Sequence, residues 1–258
     1  MCTVVAIAGA GSLVVGANRD EHYARATRGP RRLDDGVVVS GIDGAHGGSW
    51  MGANDAGIVV ALTNQRQLAG ADPSKASRGR VVLDALARRD VPAIDAWLAT
   101  LDGRAYNGFN LLYGAADVLR VAYARPERQA IEVFPLGEGV WVLPNDRLGS
   151  PDFPKAARAR ALVAPHVEGG WPALRAHLPS VLADHAMPPL EEIAPPPPGA
   201  LLDRALLQRL QAICIHTPIY GTRSSSIVAL SAGRVERYLH AEGAPCERDF
   251  ADLTELFA

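Results

Sequence analysis

The sequence predicts an α+β fold of mainly antiparallel sheets with helices on their outer faces. Two observations carry this. Strand-like and helix-like blocks alternate in the order strands, helices, strands, helices, strands. Both strand blocks are rich in hairpin-like turns, which join neighbours that pair antiparallel. The 258 residues suffice for a substantial core and are read as a single domain, 1–258. Two sheets between two helical layers would satisfy the pattern, and so would a simpler α+β arrangement.

Residues 3–8 are a short β-branched run closed by Gly9-Ala10-Gly11, and residues 13–17 follow as its hairpin partner. Residues 37–39, 49–51 and 58–63 read as further strands, with Asn54-Asp55-Ala56-Gly57 as the turn between the last two. Ser77 stands where it can cap a helix that carries Val81, Val82, Ala85 and Leu86 at helical spacing. A second helix is expected over 92–101, with Pro92 in its first turn. Strand character returns at 109–113, 118–123, 131–134 and 140–143, and a helix at 154–163. Between 169 and 200, Pro179, Pro188, Pro189 and the run Pro195 to Pro198 break any long helix; the run reads as a surface loop. A helix over 201–212 and strands at 214–217, 225–230 and 234–240 close the chain.

Composition excludes several classes. With 26 basic against 28 acidic residues, nothing points to a nucleic-acid partner or an anionic membrane surface. No apolar run reaches the ~18 residues of a membrane span, so no stable membrane insertion is expected. The Met-Cys-Thr start lacks the basic flank of a signal peptide. The three cysteines, Cys2, Cys214 and Cys246, are too few and too irregularly spaced for a disulfide framework or a zinc site. A cytoplasmic protein without a metal or cofactor is the expectation. The scattered histidines form no H-x-x-x-H pair, and Gly9-Ala10-Gly11 lacks the full dinucleotide fingerprint.

Cys2 is the first candidate for chemistry. Once Met1 is removed, it offers a thiol (ordinary pKa about 8.5) and an α-amine (about 8) on one residue. The amine can take the thiol proton as attack begins, so no separate histidine base is needed. A hairpin over the first two strands brings Asn18, Arg19 and Asp20 beside Cys2. There a carboxylate can hold the terminal ammonium and a guanidinium can lower the thiol pKa. Trp50, in the glycine-rich stretch 47–54, is a core residue or a pocket wall. Asn64 and Asn145, each at the end of an expected strand, are turn residues or donors to an oxyanion. Arg223, in Tyr220-Gly221-Thr222-Arg223-Ser224, could pair with a substrate carboxylate or steady the catalytic carboxylate, or belong to a capped loop.

Together these pieces resemble a known family. They are Met-Cys at the start, Asn18-Arg19-Asp20-Glu21, the 47–64 segment ending Ala61-Leu62-Thr63-Asn64, Leu143-Pro144-Asn145, Pro151-Asp152-Phe153-Pro154-Lys155, and Tyr220 to Ser224. Their order is that of the NRDE family, also called the Transport and Golgi organisation family. That family is similar to N-terminal-nucleophile hydrolases of the choloylglycine hydrolase, penicillin acylase and acid ceramidase type. The resemblance implies a four-layer αββα sandwich and cleavage of a non-peptide amide or related acyl bond of a small molecule. It makes Cys2 the nucleophile and base, Asp20 the carboxylate engaging the amine, Asn64 and Asn145 the oxyanion or positioning groups, and Arg223 a late active-site arginine. Asn18, Arg19 and Trp50 would contact substrate. The hydrolases carry Arg-Asn-x-Asp where this chain has Ala17 in the arginine place, and Arg19 is expected on the opposite strand face. A second function on the same scaffold is non-enzymatic binding or trafficking of haem or lipid, for which the family association is the warrant.

Overall fold

The structure, a computed structural model, describes residues 2–34 and 36–258. Among these, thirteen strands form two antiparallel sheets. The first contains β1 (Cys2–Gly9), β2 (Ser12–His22), β10 (Gly139–Leu143), β11 (Tyr220–Ser231), β12 (Arg234–Ala241) and β13 (Ala251–Asp252), ordered β10-β1-β2-β11-β12-β13. The second runs in chain order through β3 (Thr27–Arg32), β4 (Val38–Asp43), β5 (Met51–Asn54), β6 (Val59–Asn64), β7 (Phe109–Ala115), β8 (Val118–Ala124) and β9 (Glu132–Leu136).

Side chains alternate across each strand, so each sheet has two apolar faces to bury. On the inner faces, Val4, Ala6, Leu13, Val15 and Ala17 of the first sheet meet Met51, Ala53, Val59, Ala61 and Leu112 of the second. The outer face of the second sheet is covered by α1 (Arg78–Leu86) and α2 (Val91–Leu98), through Val81, Val82, Leu86, Ile94 and Leu98. The outer face of the first is covered by α3 (Pro154–Val163) and α4 (Gly170–Leu182), through Ala159, Val163, Leu174 and Leu178. The short α5 (Arg204–Arg209) belongs to a small satellite cluster with Ile215. The αββα sandwich is thus the arrangement adopted.

The first hairpin is tight because Gly9 pairs with Ser12 and Gly11 takes a positive φ of 67°, where a side chain would be strained. In the 54–57 turn, the Asn54 side-chain oxygen accepts from the Ala56 and Ile58 backbone amides. At the start of α2 the Asp90 carboxylate accepts from Ala93 N, a cap of about 1 kcal/mol.

The structure departs from the expectations in five places. β3 has no sequence signal: Thr27–Arg32 is polar and holds Pro30, which only an edge strand tolerates. Ser77 occupies the N-cap of α1 but makes no side-chain cap bond. Helix α4 runs through Pro179 near its C-terminal end. Residues 214–217 form no strand, only an isolated His216–Gly221 bridge, and the helix after 200 shrinks to Arg204–Arg209.

Candidate active site

Antiparallel register does the positioning. Cys2 lies directly opposite Arg19, and Val4 opposite Leu143 on the other side. The start of β1 therefore lies at the sheet end where β2 delivers its charged residues. Cross-strand partners share a face, so Arg19 is on the same face as Cys2; residues 17 and 19 share it too, because alternation has period two. The expectation that Arg19 turns away from the thiol is wrong.

Cys2, Arg19, Asp20, Trp50 and Asn64 line one cavity of about 500 Å³ between the open ends of the two sheets. Its other walls include Glu21, Arg25, Asp43 and His46 on one rim, and the segment 71–79 with Lys75 and Arg78 on the other. Arg19 is clamped there. Its guanidinium donates to Thr27 Oγ1 at 2.9 Å, lies 3.6 Å from Asp43 and sits over the Trp50 ring at 4.3 Å. Arg25 holds Asp43 through two bonds of 2.7 Å. Burial alone would raise the Asp43 carboxyl; the Arg25 pairing outweighs it and holds that carboxyl below the usual range. Arg78 differs: among the described residues it has no carboxylate within ion-pair reach, only a 3.3 Å bond to Gly108 O.

Asp20 is buried and contributes to the lining of this cavity. Thr222 Oγ1 donates to Asp20 Oδ1 at 2.7 Å, and Tyr220 Oη donates to Asp20 O at 2.9 Å. Burial raises the Asp20 carboxyl, while the positive charge of Lys155 works against that rise. Lys155, on the first turn of α3, is fully buried, and its Nζ has no hydrogen-bond partner among the described residues. Burial lowers its amine pKa, and the nearby acidic groups Asp20 and Cys2 oppose that. Burial likewise pushes the Cys2 thiol up, with Asp20 adding to the rise and Arg19 opposing it.

Three sequence candidates lie elsewhere. Asn18 is spent on structure: its Nδ2 donates to Leu182 O and Ile213 O at 2.8 and 2.9 Å, and its Oδ1 accepts from Ser225. It faces the helices because its neighbour Arg19 faces the cavity. Asn145 is buried and donates to Asn64 O at 2.8 Å, so it positions Asn64 and does not face the cavity. Arg223 sits at a β-bulge, where Thr222 pairs with Asp20 and Ser224 with Arg19. The extra residue turns outward, bonds Tyr23 O and lines a separate cavity with Glu247 and Arg248. Thr222 takes the inward place. Both Thr222 and Lys155 stand in motifs visible in the sequence, but only register and burial single them out.

The cavity's thiol, the Asp20 carboxylate, the Arg78 guanidinium and the Asn64 amide, whose side chain has no hydrogen-bond partner among the described residues, suit attack on a carbonyl and stabilisation of the resulting oxyanion.

Known proteins carry the same architecture. The solved structure of a mutant conjugated bile acid hydrolase from Clostridium perfringens superposes with a TM-score of 0.58 at 13% identity, covering 100% of this chain and 94% of that one. The Caenorhabditis elegans N-acylethanolamine-hydrolyzing acid amidase ortholog gives 0.51 at 14% identity, covering 88% and 92%. These superpositions establish the shared N-terminal-nucleophile hydrolase fold. In sequence, the Transport and Golgi organization protein 2 homolog of Bos taurus is 32% identical over 235 residues, covering 85% of this chain and 82% of that protein. The Homo sapiens homolog is 31% identical over 242 residues, with the same coverage. The Transport and Golgi organisation 2 family pattern matches residues 1–240, and the chain belongs to that family.

Proposed function

We propose that this chain is a cysteine amidohydrolase that cleaves a non-peptide amide of a small polar molecule. The observation that carries this reading is the convergence of Cys2, Arg19, Asp20 and Asn64 on one cavity. Removal of Met1, which lies outside the described residues, frees the Cys2 amine. The amine takes the thiol proton, and the sulfur attacks the substrate carbonyl carbon. Asn64 donates to the oxyanion, in keeping with a side chain that has no internal partner among the described residues. The proton passes to the leaving nitrogen as the C–N bond breaks. Water then hydrolyses the thioester and releases the carboxylic acid. Asp20, fixed by Thr222, holds the amine in place.

The structural relatives are named as hydrolases of conjugated bile acids and of N-acylethanolamines, which agrees with this reaction class. Arg78 favours a substrate bearing a carboxylate or another anionic group, because among the described residues no carboxylate lies within ion-pair reach of it in the cavity. The charged lining argues against haem or a long acyl chain, which need an apolar wall. The test is a panel of N-acyl amino acids beside the matching neutral N-acyl amides. Cys2-dependent release of the amine from the anionic members supports the reading. Hydrolysis equal in Cys2→Ala, or none across the panel with a haem absorbance shift instead, sinks it.

A further inference from the structure

On the far side of Asp20 lies a second group of reactive side chains. His185, Cys214, His216 and Cys246 each offer one ligand atom, and these atoms all lie within 4.8 Å of one another. They come from three separate segments: the chain after α4, the loop before β11, and the loop after β12. The Cys214 and Cys246 sulfurs are 3.7 Å apart. His216 Nε2 is 3.7 Å from the first and 3.2 Å from the second. A disulfide would need a separation near 2.05 Å.

The spacing matches a coordination shell. Zinc bonds of ~2.3 Å to sulfur and ~2.05 Å to nitrogen, set at tetrahedral angles, separate two sulfurs by about 3.8 Å and sulfur from nitrogen by about 3.6 Å. The outer contacts match as well. His185 Nδ1 lies 3.0 Å from Cys214 O, which fixes that nitrogen as the protonated one and leaves Nε2 for a metal. His216 Nδ1 faces the Glu247 carboxylate at 4.0 Å. Two thiolates and two imidazoles suit a divalent ion with a tetrahedral preference, and four protein ligands leave no open position for a reactant.

We propose that His185, Cys214, His216 and Cys246 bind one zinc ion as a structural site. Binding displaces one proton from each thiol, so a neutral site forms from Zn²⁺, two thiolates and two imidazoles. This revises the expectation that the cysteines form no zinc site: the ligands are gathered by the fold and not by a regular spacing. The ion would anchor the 214–216 segment that supports Asp20. Ile215, between two ligands, donates from its backbone N to Thr222 Oγ1 at 2.9 Å and accepts from Thr222 N at 2.8 Å; Thr222 in turn donates to Asp20.

The test uses the full chain, purified reduced, with metal content measured by mass spectrometry and Co²⁺ as the spectroscopic probe. The expected result is one zinc per chain. After zinc removal, Co²⁺ should bind one-to-one with thiolate charge-transfer bands and the intense visible bands of a tetrahedral site. Cys246→Ser, at an exposed position, should lose a charge-transfer contribution and bind at least tenfold more weakly, with circular dichroism confirming its fold. Cys2→Ala should keep the spectrum unchanged. Absence of stoichiometric metal binding by the unaltered protein, iron in place of zinc, an intact Cys214–Cys246 disulfide, or a Cys246→Ser spectrum equal to that of the parent would each overturn the proposal. These readouts do not involve turnover, so they stand apart from the fate of the hydrolase reading.

Discussion

Two cysteine sites flank the carboxylate of Asp20, and they are built on opposite plans. At Cys2 the sulfur is half-buried beside an open cavity, and among the described residues its surroundings are left unbalanced: a guanidinium with no carboxylate in ion-pair reach, a buried amine with no hydrogen bond, a carboxyl raised by burial. At Cys214 and Cys246 the polar atoms face one another and their outer nitrogens meet acceptors. Unsatisfied groups beside space suit a reacting molecule; mutually directed groups suit an ion that stays. Thr222 stands between the two, taking its geometry from the 214–216 backbone and passing it to Asp20.

The contrast can be broken most sharply at Cys2. Cys2→Ala is expected to abolish covalent labelling by an acylating probe while leaving metal content intact, both read from intact mass under native and denaturing conditions. Loss of both together would mean that the sites are not separate. Next in size is metal removal. Zinc at 100 times its Kd adds ~2.7 kcal/mol, so chelation should lower Tm by about 5–10 °C in a chain of this length. Scanning calorimetry with and without chelator measures it, and an unchanged Tm counts against a structural role.

The link between the sites gives a smaller effect. Thr222→Val removes a hydrogen bond to a carboxylate, worth about 1.5–3 kcal/mol, and should slow Cys2 labelling roughly tenfold. Unaltered labelling kinetics would show that Asp20 needs no such support. A shift of pH profile comes next. Burial already holds the thiol above its ordinary value, so labelling climbs as pH rises. Lys155→Met takes away the positive charge that restrains Asp20 and Cys2, and should move that climb to still higher pH. A shift to lower pH refutes the assignment. Smallest of all is Arg223→Ala, expected to change labelling less than twofold, because its guanidinium is turned to Tyr23 O and a different cavity.

Legibility in the sequence follows the range of the interaction. The hairpin of β1 and β2 is readable because a glycine turn and a β-branched run are local signals, and it suffices to place Arg19 and Asp20 beside Cys2. The layered architecture comes from family resemblance more than from pattern, since alternating strands and helices fit several stackings. Arg223 stands out over Thr222 because charge is conspicuous in a sequence, whereas a one-residue bulge, which decides which of the two faces Asp20, leaves no mark. Asn18 and Asn145 carry the right amide but are consumed by buried carbonyls that only the folded chain supplies. The metal ligands are hidden for a related reason: three loops far apart in the chain contribute them, and no motif spans that distance.

The most direct test of catalysis at Cys2 is the intact mass of the protein, expressed from Met1 without an added leader or tag, after brief exposure to an activated acyl ester. The expected product is a chain lacking Met1 that carries one acyl group, mapped to Cys2 and lost on standing in water. A chain that retains Met1 throughout, or that takes up acyl groups equally after Cys2→Ala, contradicts catalysis at Cys2.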